Sequence, residues 1–557
     1  MRVGLLGNAF QSIRAKGIVT GYDVAVEDLM KGFLRYSSAE NLFCMYEPME
    51  LQQEMLETIM AGLDTMSRKR VHLVNEYDVL FHGKERMPAI DILHSVKEDA
   101  IPMLSLREML KKNIPLTFTL HGLAEQHLIM DFFYPLAHLP FQPYDAVICT
   151  SSAVKKVVET ILNRMEDIGT GNIPPHSIRL EKVPLGVDIN YFKPFDRKKC
   201  RRKYMISEDD FVILWLGRFS DIYKADLYPM IRVFGQLVHN NPQKNLRLIL
   251  AGNCDRQSAY IGKIIKIAEH EKITNCIRFL YNEEIENRAE LYSACDVFTS
   301  PVDNVQETFG LTPVEAMACG IPQVVSDWDG YRDTVKDGET GFLIPTLWAD
   351  CMEDIACMDF FPSSVNNRRM LQRYLAVRSV VVDCEVYREK LQLLIDHPEM
   401  RVRMGNASRK RAVDEYALEV TVKRTEAVWE CLLDIARQTE TDFTRIHVPR
   451  LNYCHDFAAY PAKTVTDSQL FCLKEKAMDF IEICPRYEVF EELIEEGKLS
   501  EEIIKYICNK DYFCMAELFS HLPYYTKSQI RRTVLQLYKY DCIKPFLKDS
   551  ERITSYI

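Results

Sequence analysis

The chain has 557 residues, a length that suggests about three to four domains, and its 47% hydrophobic and 27% charged residues allow a sizeable core. A net charge of −11 argues against non-specific nucleic-acid binding, and no apolar run reaches the roughly eighteen residues that cross a bilayer. The 17 cysteines include no C-x-x-C pair, and Cys149, Cys276 and Cys295 sit in apolar runs, so they read as reduced, buried thiols of a cytoplasmic protein.

The N-terminal MRVGLLGNAF reads as a strand over Arg2–Leu6 and not as a secretory leader. A loop with Gly17 and Gly21 follows, then a helix from about Asp23 to Tyr36. Strand, glycine loop and helix open a Rossmann-like unit, but no G-x-G-x-x-G is present and a dinucleotide cofactor is not supported. Gly17 and Gly21 serve either as turn residues or as points of close backbone approach. Short apolar strands recur at His72–Val74, Ile90–Leu93, Leu116–Leu120 and Ala146–Cys149, with helical patterns between them. This alternation implies a parallel sheet with ligands at the carboxyl ends of its strands. His121 stands at such an end, although a lone histidine is more often structural on position alone. His94 has a similar position, and Glu125 is near enough in sequence to orient His121. The basic run Arg197–Lys203 reads as a solvated helix face, with contact to anionic lipid as the minority reading.

A second series opens with the strand Phe211–Leu216, which ends in Gly217 and Arg218, and Lys224 follows at the head of the next helix. Arg supplies a fork of donors and Lys a point charge, a pair suited to an anion. A surface pair is the bland alternative. The turn EDD at 208–210 reads as solvated. Further strands end at Gly252–Asn253 and at Tyr281, and Asp296–Pro301 delivers the stretch Asp303–Pro345. There Glu307 and Glu315 stand eight apart, around Phe309, Gly310, Leu311, Thr312 and Pro313. Thr312 is the expected N-cap, Pro313 the first helical residue, Glu315 the partner in a capping box and Gly320 the residue that ends the helix. The run Ile321–Val325 then reads as a buried strand. A loop feeding a helix N-terminus presents unpaired amides, which favour anions.

E-x7-E in the context ETFGLTPVEAMACGIPQVVSD, closed by DGETGFLIP, resembles the donor site of retaining glycosyltransferases of the GT-B architecture, family 4 type. Pro184–Asp188 is similar to that family's interdomain P-x-G-V-D segment, and Gly217, Arg218 and Lys224 to its G-R…K arrangement, with the loop Ser220–Tyr223 slightly longer than usual. The resemblance implies an α/β fold of two Rossmann-like domains facing across a cleft, with a mostly helical C-terminal extension. The implied boundaries are 1–186 for an acceptor-side domain, 187–419 for a nucleotide-sugar donor domain, 420–437 for a helix crossing back, and 438–557 for the extension. It implies catalytic roles for His121 and Glu307 at the transferred sugar and for Arg218 and Lys224 at the diphosphate. It gives Glu315 the nucleotide ribose, and donor contacts to Phe309, Gly310, Leu311, Thr312, Asn253 and Tyr281. Gly17 and Gly21 are placed near phosphate and acceptor.

The implied function is metal-independent sugar transfer, with retention, from a nucleotide sugar to a glycan, lipid, peptide or small molecule. The nucleotide sugar is a co-substrate and no cofactor is required. The alternatives on this fold are an inactive sugar-nucleotide or glycan binder, a phosphorylase and a sugar-nucleotide epimerase.

From Ser379 to about Arg437 the resemblance continues as helices, the last near Val420–Ala436, whereas residues 349–378 fit less well and read as an insertion. Beyond about Gln438 it ends. After an irregular segment, helical patterns cover Leu470–Ile483, Val489–Glu496, Ser500–Ile507 and Ser528–Tyr540. The last has a capping box at Thr526 and Gln529, with Ile530, Val534, Leu537 and Tyr538 on one face. The expectation is a docking or homo-oligomerisation module, not a nucleic-acid reader.

Overall fold

The computed structural model describes residues 1–6, 21–46, 60, 62–82, 84–168, 177–253, 259–281, 287–349, 351, 365–443, 448, 456, 459, 465–474 and 496–546. Gly17 and the expected helices over 475–495 lie outside them. The chain forms two compact units. One comprises Met1–Met45, Met49–Leu73 and Ile90–Val448, and the other Tyr46–Pro48, Val74–Ala89 and Pro449–Ile557.

Two parallel sheets build the first unit. Strands β1 (Arg2–Leu6), β2 (Asn41–Tyr46), β3 (Val71–Asn75), β4 (Ile92–Ser95), β5 (Leu116–Thr119), β6 (Ala146–Cys149) and β7 (Arg179–Lys182) lie in the order β3-β2-β1-β4-β5-β6-β7. Strands β8 (Asp210–Leu216), β9 (Asn245–Gly252), β10 (Ile277–Tyr281), β11 (Val297–Ser300), β12 (Gln323–Ser326) and β13 (Gly341–Ile344) lie in the order β10-β9-β8-β11-β12-β13. The runs ILHS, LTFT and AVIC of β4 to β6 are wholly buried, as expected of parallel strands covered on both faces. In each sheet the order reverses beside the first strand, between β1 and β4 and between β8 and β11, with Val3 beside Ile92 and Phe298 beside Leu214. Ligands collect at the carboxyl ends of strands at such reversals.

The helices that position the site are α1 (Gly21–Tyr36), α2 (Arg288–Ala294), α3 (Leu311–Ala318), α4 (Val365–Arg378) and α5 (Leu418–Gln438). Helix α4 forms the last part of the stretch 349–378, which is flanked by an antiparallel pair, β14 (Thr346–Trp348) and β15 (Val380–Val382). Helix α5 crosses back to pack on α1. Its Glu426 accepts from the Ser37 hydroxyl at 2.5 Å and the Ser38 amide at 2.8 Å, and Trp429 stacks on Phe33. His94 is buried against this pair and bonds Thr117, and burial pushes its pKa down to about 3. It is a core residue and not a ligand contact.

The chain passes between the two sheets twice, and the passages are bonded together. The Val187 amide donates to Tyr416 at 2.9 Å, and the Leu418 amide donates to Val187 at 3.1 Å. Gly186 permits this, because a Cβ there would lie 2.9 Å from the Leu418 backbone.

The basic run Arg197–Lys203 is helical but not simply a solvated face. Arg201 is buried and bonds Asp296 at 2.8 Å, and Arg197 bonds the same carboxylate at 2.6 Å. Asp296, at the foot of β11, is buried and draws these cations inward.

In the second unit, β16 (Phe471–Leu473) pairs antiparallel with β17 (Ile543–Pro545), and α6 (Glu496–Ile507), α7 (Met515–His521) and α8 (Lys527–Lys539) share one core with them. Strand β16 replaces the opening of an expected helix, and α7 was not expected. The capping box at Thr526 and Gln529 is present, and Ile530, Val534 and Leu537 are buried. Tyr538 stays exposed, contrary to its expected place on the apolar face. Among the described residues no helix is long and apolar enough to cross a membrane, and every cysteine is free, with Cys276 only half-buried.

Candidate functional site

A cavity of about 910 Å³ lies at the carboxyl ends of both sheets. The first sheet contributes Gly21, Tyr22, Glu98, His121 and Glu125 to its walls. The second contributes Arg218, Tyr223, Lys224, Asn253 and Arg288, with the loop Gln306–Thr312 and Arg373.

The floor is set by the start of α3. Its N-cap is Gly310, with φ +89°, and no side chain caps the helix. A Cβ at Gly310 would lie 2.0 Å from the Tyr331 ring, so only glycine brings the backbone here. Thr312 is therefore not the N-cap and no capping box involves Glu315. Pro313 falls at the third helical position, where its missing N–H costs no intrahelical bond. The exit follows expectation: the Gly320 amide donates to Met317 at 2.9 Å and the Ile321 amide to Ala316 at 3.1 Å, a Schellman pair. Strand β12 then begins at Gln323, two residues later than expected. Phe309, Gly310, Leu311 and Thr312 all line the cavity beside the unpaired first-turn amides.

Cations face this turn. Arg218 follows β8, its guanidinium carbon 4.8 Å from the Tyr223 ring centroid, and burial lowers its pKa. Among the described residues it forms no ion pair. Lys224 bonds Glu307 at 2.5 Å, and the Tyr331 hydroxyl donates to the same Glu307 oxygen at 3.5 Å. Burial works against the Lys224 charge, but the attraction of Glu307 and Tyr331 and the hydrogen bond to Glu307 together outweigh it and hold the pKa above the ordinary lysine value. The slightly long loop before Lys224 therefore still delivers it to the cleft.

Opposite them, His121 follows β5. Its carbonyl accepts from the Thr308 hydroxyl at 2.8 Å, which ties the first sheet to the Glu307 loop. Its amide donates to Glu98 at 3.3 Å, and its ring meets the edge of Tyr22. Neither ring nitrogen has a hydrogen-bond partner of ordinary geometry among the described residues. Burial pushes the His121 pKa down to about 4, so the imidazole is neutral at pH 7. Burial pushes Glu98 up to about 7. Glu98, which drew no attention in the sequence, holds the His121 backbone amide, and neither it nor Glu125 orients the ring by a hydrogen bond among the described residues. Glu125 instead pairs with Arg373 of α4. Arg373 also stands 5.0 Å over the Tyr223 ring.

Two expected donor contacts are not among the residues that line the cavity. Tyr281, at the end of β10, is not among the residues lining the cavity; its ring lies 6.4 Å from that of Phe219. Glu315 is only 2% exposed and does not line the cavity either. It pairs with Arg288 at 3.0 Å and accepts from the Tyr292 hydroxyl at 2.9 Å. Burial pushes Glu315 upward, whereas Arg288, beside it, is held charged. Asn253 and Gly21 do line the cavity. Arg288, Arg373 and Glu98 were missed because each matters through a partner distant in sequence, and Tyr223 was read only as part of the loop before Lys224.

Residues 196–356 match the family model described as Glycosyl transferases group 1. A curated relative from Actinosynnema mirum, a D-inositol 3-phosphate glycosyltransferase, is 28% identical over 252 residues, which are 44% of this chain and 58% of the relative. Another of that name, from Geodermatophilus obscurus, is 33% identical over 165 residues, 29% of this chain and 36% of the relative. Against these relatives the chain spans 58% of their length or less. Among solved structures, Anabaena HepE in complex with UDP has a TM-score of 0.51 at 16% identity, over 77% of this chain and 100% of that one. Sucrose-phosphate synthase from Thermosynechococcus elongatus has a TM-score of 0.51 at 17% identity, over 78% of this chain and 100% of that one. The fold is GT-B. The chain resembles the group 1 glycosyl transferases, and the likeness to the solved GT-B structures, at such low identity, is one of fold.

Proposed function

We propose that the protein transfers a sugar from a nucleotide-sugar donor to an acceptor, with retention and without a metal. The observation that carries this reading is the convergence of the α3 first turn, Arg218 and Lys224 beside the β8–β11 reversal, facing His121 across the cleft. Diphosphate charge grows as the glycosidic bond breaks, and these fixed donors stabilise it most at that moment. Glu307, oriented by Lys224, would hold sugar hydroxyls and steady positive charge at the anomeric carbon. Neutral His121 has a ring N–H to donate to the sugar. The leaving phosphate would take the acceptor proton. HepE was solved with UDP, which supports a nucleotide ligand here.

The test is turnover of a panel of UDP-, GDP- and ADP-sugars in EDTA, with the product anomer read by NMR. Arg218→Ala should lower kcat by about tenfold or more while weakening nucleoside diphosphate binding less. A raised KM with unchanged kcat would reject the clamp role. Activity lost in EDTA and restored by magnesium or manganese would reject metal independence.

A further inference from the structure

We propose that Arg373 and its partner Glu125 form the acceptor-selecting contact of the cleft, and that they take a neutral polyhydroxylated acceptor, a sugar or a polyol, in preference to an anionic one. This rests on the sugar-transfer reading above and adds to it the chemical class of the acceptor. Arg373 belongs to α4, which lies beyond the residues 196–356 matched by the family model, so that match assigns it nothing. Both members of the pair line the cavity.

The Arg373 guanidinium reaches both sides of the cleft. Its Nη2 pairs with Glu125, in the loop after β5 of the first sheet. With the Gln306 amide turned so that its oxygen faces the guanidinium, that oxygen accepts from Nε at 3.0 Å and from Nη2 at 3.3 Å. Gln306 precedes Glu307, the residue given above to the transferred sugar, and Thr308 beyond it bonds the His121 carbonyl. A molecule seated on the pair therefore lies against the transferred sugar, where an attacking hydroxyl has to enter. Arg218 and Arg373 flank the same Tyr223 ring, at 4.8 Å and 5.0 Å, but they differ in what their charge meets. Among the described residues Arg218 forms no ion pair and is left for the diphosphate, whereas Arg373 is neutralised by Glu125. His127, the other basic group at this corner, also turns to that carboxylate, its Nδ1 4.0 Å from Oε2. An anion placed here would face the like charge of Glu125. A hydroxyl suits both members: it accepts from Arg373 Nη1, which has no hydrogen-bond partner among the described residues, and donates to Glu125, which only accepts.

The experiment measures kcat/KM for transfer to glucose, myo-inositol and glycerol, each against its own monophosphate, in the wild type, Arg373→Ala, Arg373→Lys and Glu125→Gln. The donor is whichever of the UDP-, GDP- and ADP-sugars the wild type hydrolyses or transfers fastest. The wild type should favour the neutral member of at least one pair by about tenfold or more. Arg373→Ala should lower kcat/KM toward that acceptor by about ten- to a hundredfold, chiefly through KM, and lower acceptor-free donor hydrolysis by much less. Glu125→Gln removes the repelling charge and should narrow the preference for the neutral member, a ratio that a merely structural role would not move. A wild type that favours the monophosphates, favours neither, or transfers to no neutral acceptor while hydrolysing the donor overturns this inference and leaves the donor reading standing. An Arg373→Ala that loses hydrolysis as much as transfer places the side chain on the donor and overturns it too, as does a Glu125→Gln with the preference unchanged. Should Arg373→Ala fail to fold, Arg373→Lys and Glu125→Gln decide on the same ratios. A wild type that neither hydrolyses nor transfers from any nucleotide sugar overturns the sugar-transfer reading and this inference with it.

Discussion

Glu98 and His121 are neighbours whose charges burial suppresses in opposite senses of pH. Glu98 has its pKa raised to about 7 from an ordinary 4.5, so its contribution to stability is full below about 4.5 and is lost as pH rises through 7. His121 is lowered to about 4 from 6.5, so its contribution is present above 6.5 and is lost as pH falls toward 4. Comparison of wild type with Glu98→Gln isolates the first effect, because His121 is common to both. The melting temperature of Glu98→Gln should gain on the wild type between pH 4.5 and 7 and then level off. The corresponding gain in unfolding free energy should be at most about 1.4 kcal/mol per pH unit. A constant difference across that range would mean Glu98 titrates as an ordinary carboxyl. His121 was legible as a candidate at a strand end, but Glu98 and the shifted pKa of either residue were not. The lowered pKa of His121 arises from its burial, and Glu98 reaches it from another strand end. Arg218, Lys224 and Glu307 were legible as candidates because each stands in a strand-end pattern or a dense local motif.

Helix α3 shows the same division at the scale of an element. That a helix begins here, ends at Gly320 and presents its first turn to an anion could be read from residue types. Where it begins could not. Thr312 and Pro313 form a good capping pair in isolation, but Tyr331 packs so closely on Gly310 that the chain enters the helix earlier, through a left-handed glycine. Gly310→Ala should therefore cost about 2 kcal/mol or more, from the left-handed backbone and the clash together, and weaken diphosphate binding by at least about tenfold. Thr312→Ala should fall short of the roughly 1 kcal/mol of a lost N-cap. Chemical denaturation of both variants checks the pair; the reverse ranking would restore Thr312 as the cap. The insertion helix α4 is the opposite case. It lies in the stretch that fitted the sequence pattern least, yet it carries Arg373 to the cavity wall.

For the whole molecule, the extension begins later than the sequence suggested. Thr439 accepts from Asn113 at 2.6 Å and Thr441 bonds the Tyr144 hydroxyl at 3.0 Å, so residues just past Gln438 still belong to the first unit. A chain truncated after Val448 should keep nucleoside diphosphate affinity within about threefold, a change under roughly 0.7 kcal/mol. Its residues 74–89, grouped with the removed segment, should exchange amide hydrogens faster. A folded truncation that no longer binds the diphosphate would place part of the site in the tail. The two bonded passages at Val187 and Tyr416–Leu418 have a mechanical consequence. A single linker would let one Rossmann-like half swing and twist freely about the other. Two linkers laced side by side act as a pair of hinge pins, leaving rotation about one shared axis as the soft motion. Opening the jaw then has a single degree of freedom, and the Thr308–His121 clasp must release before the rotation can begin.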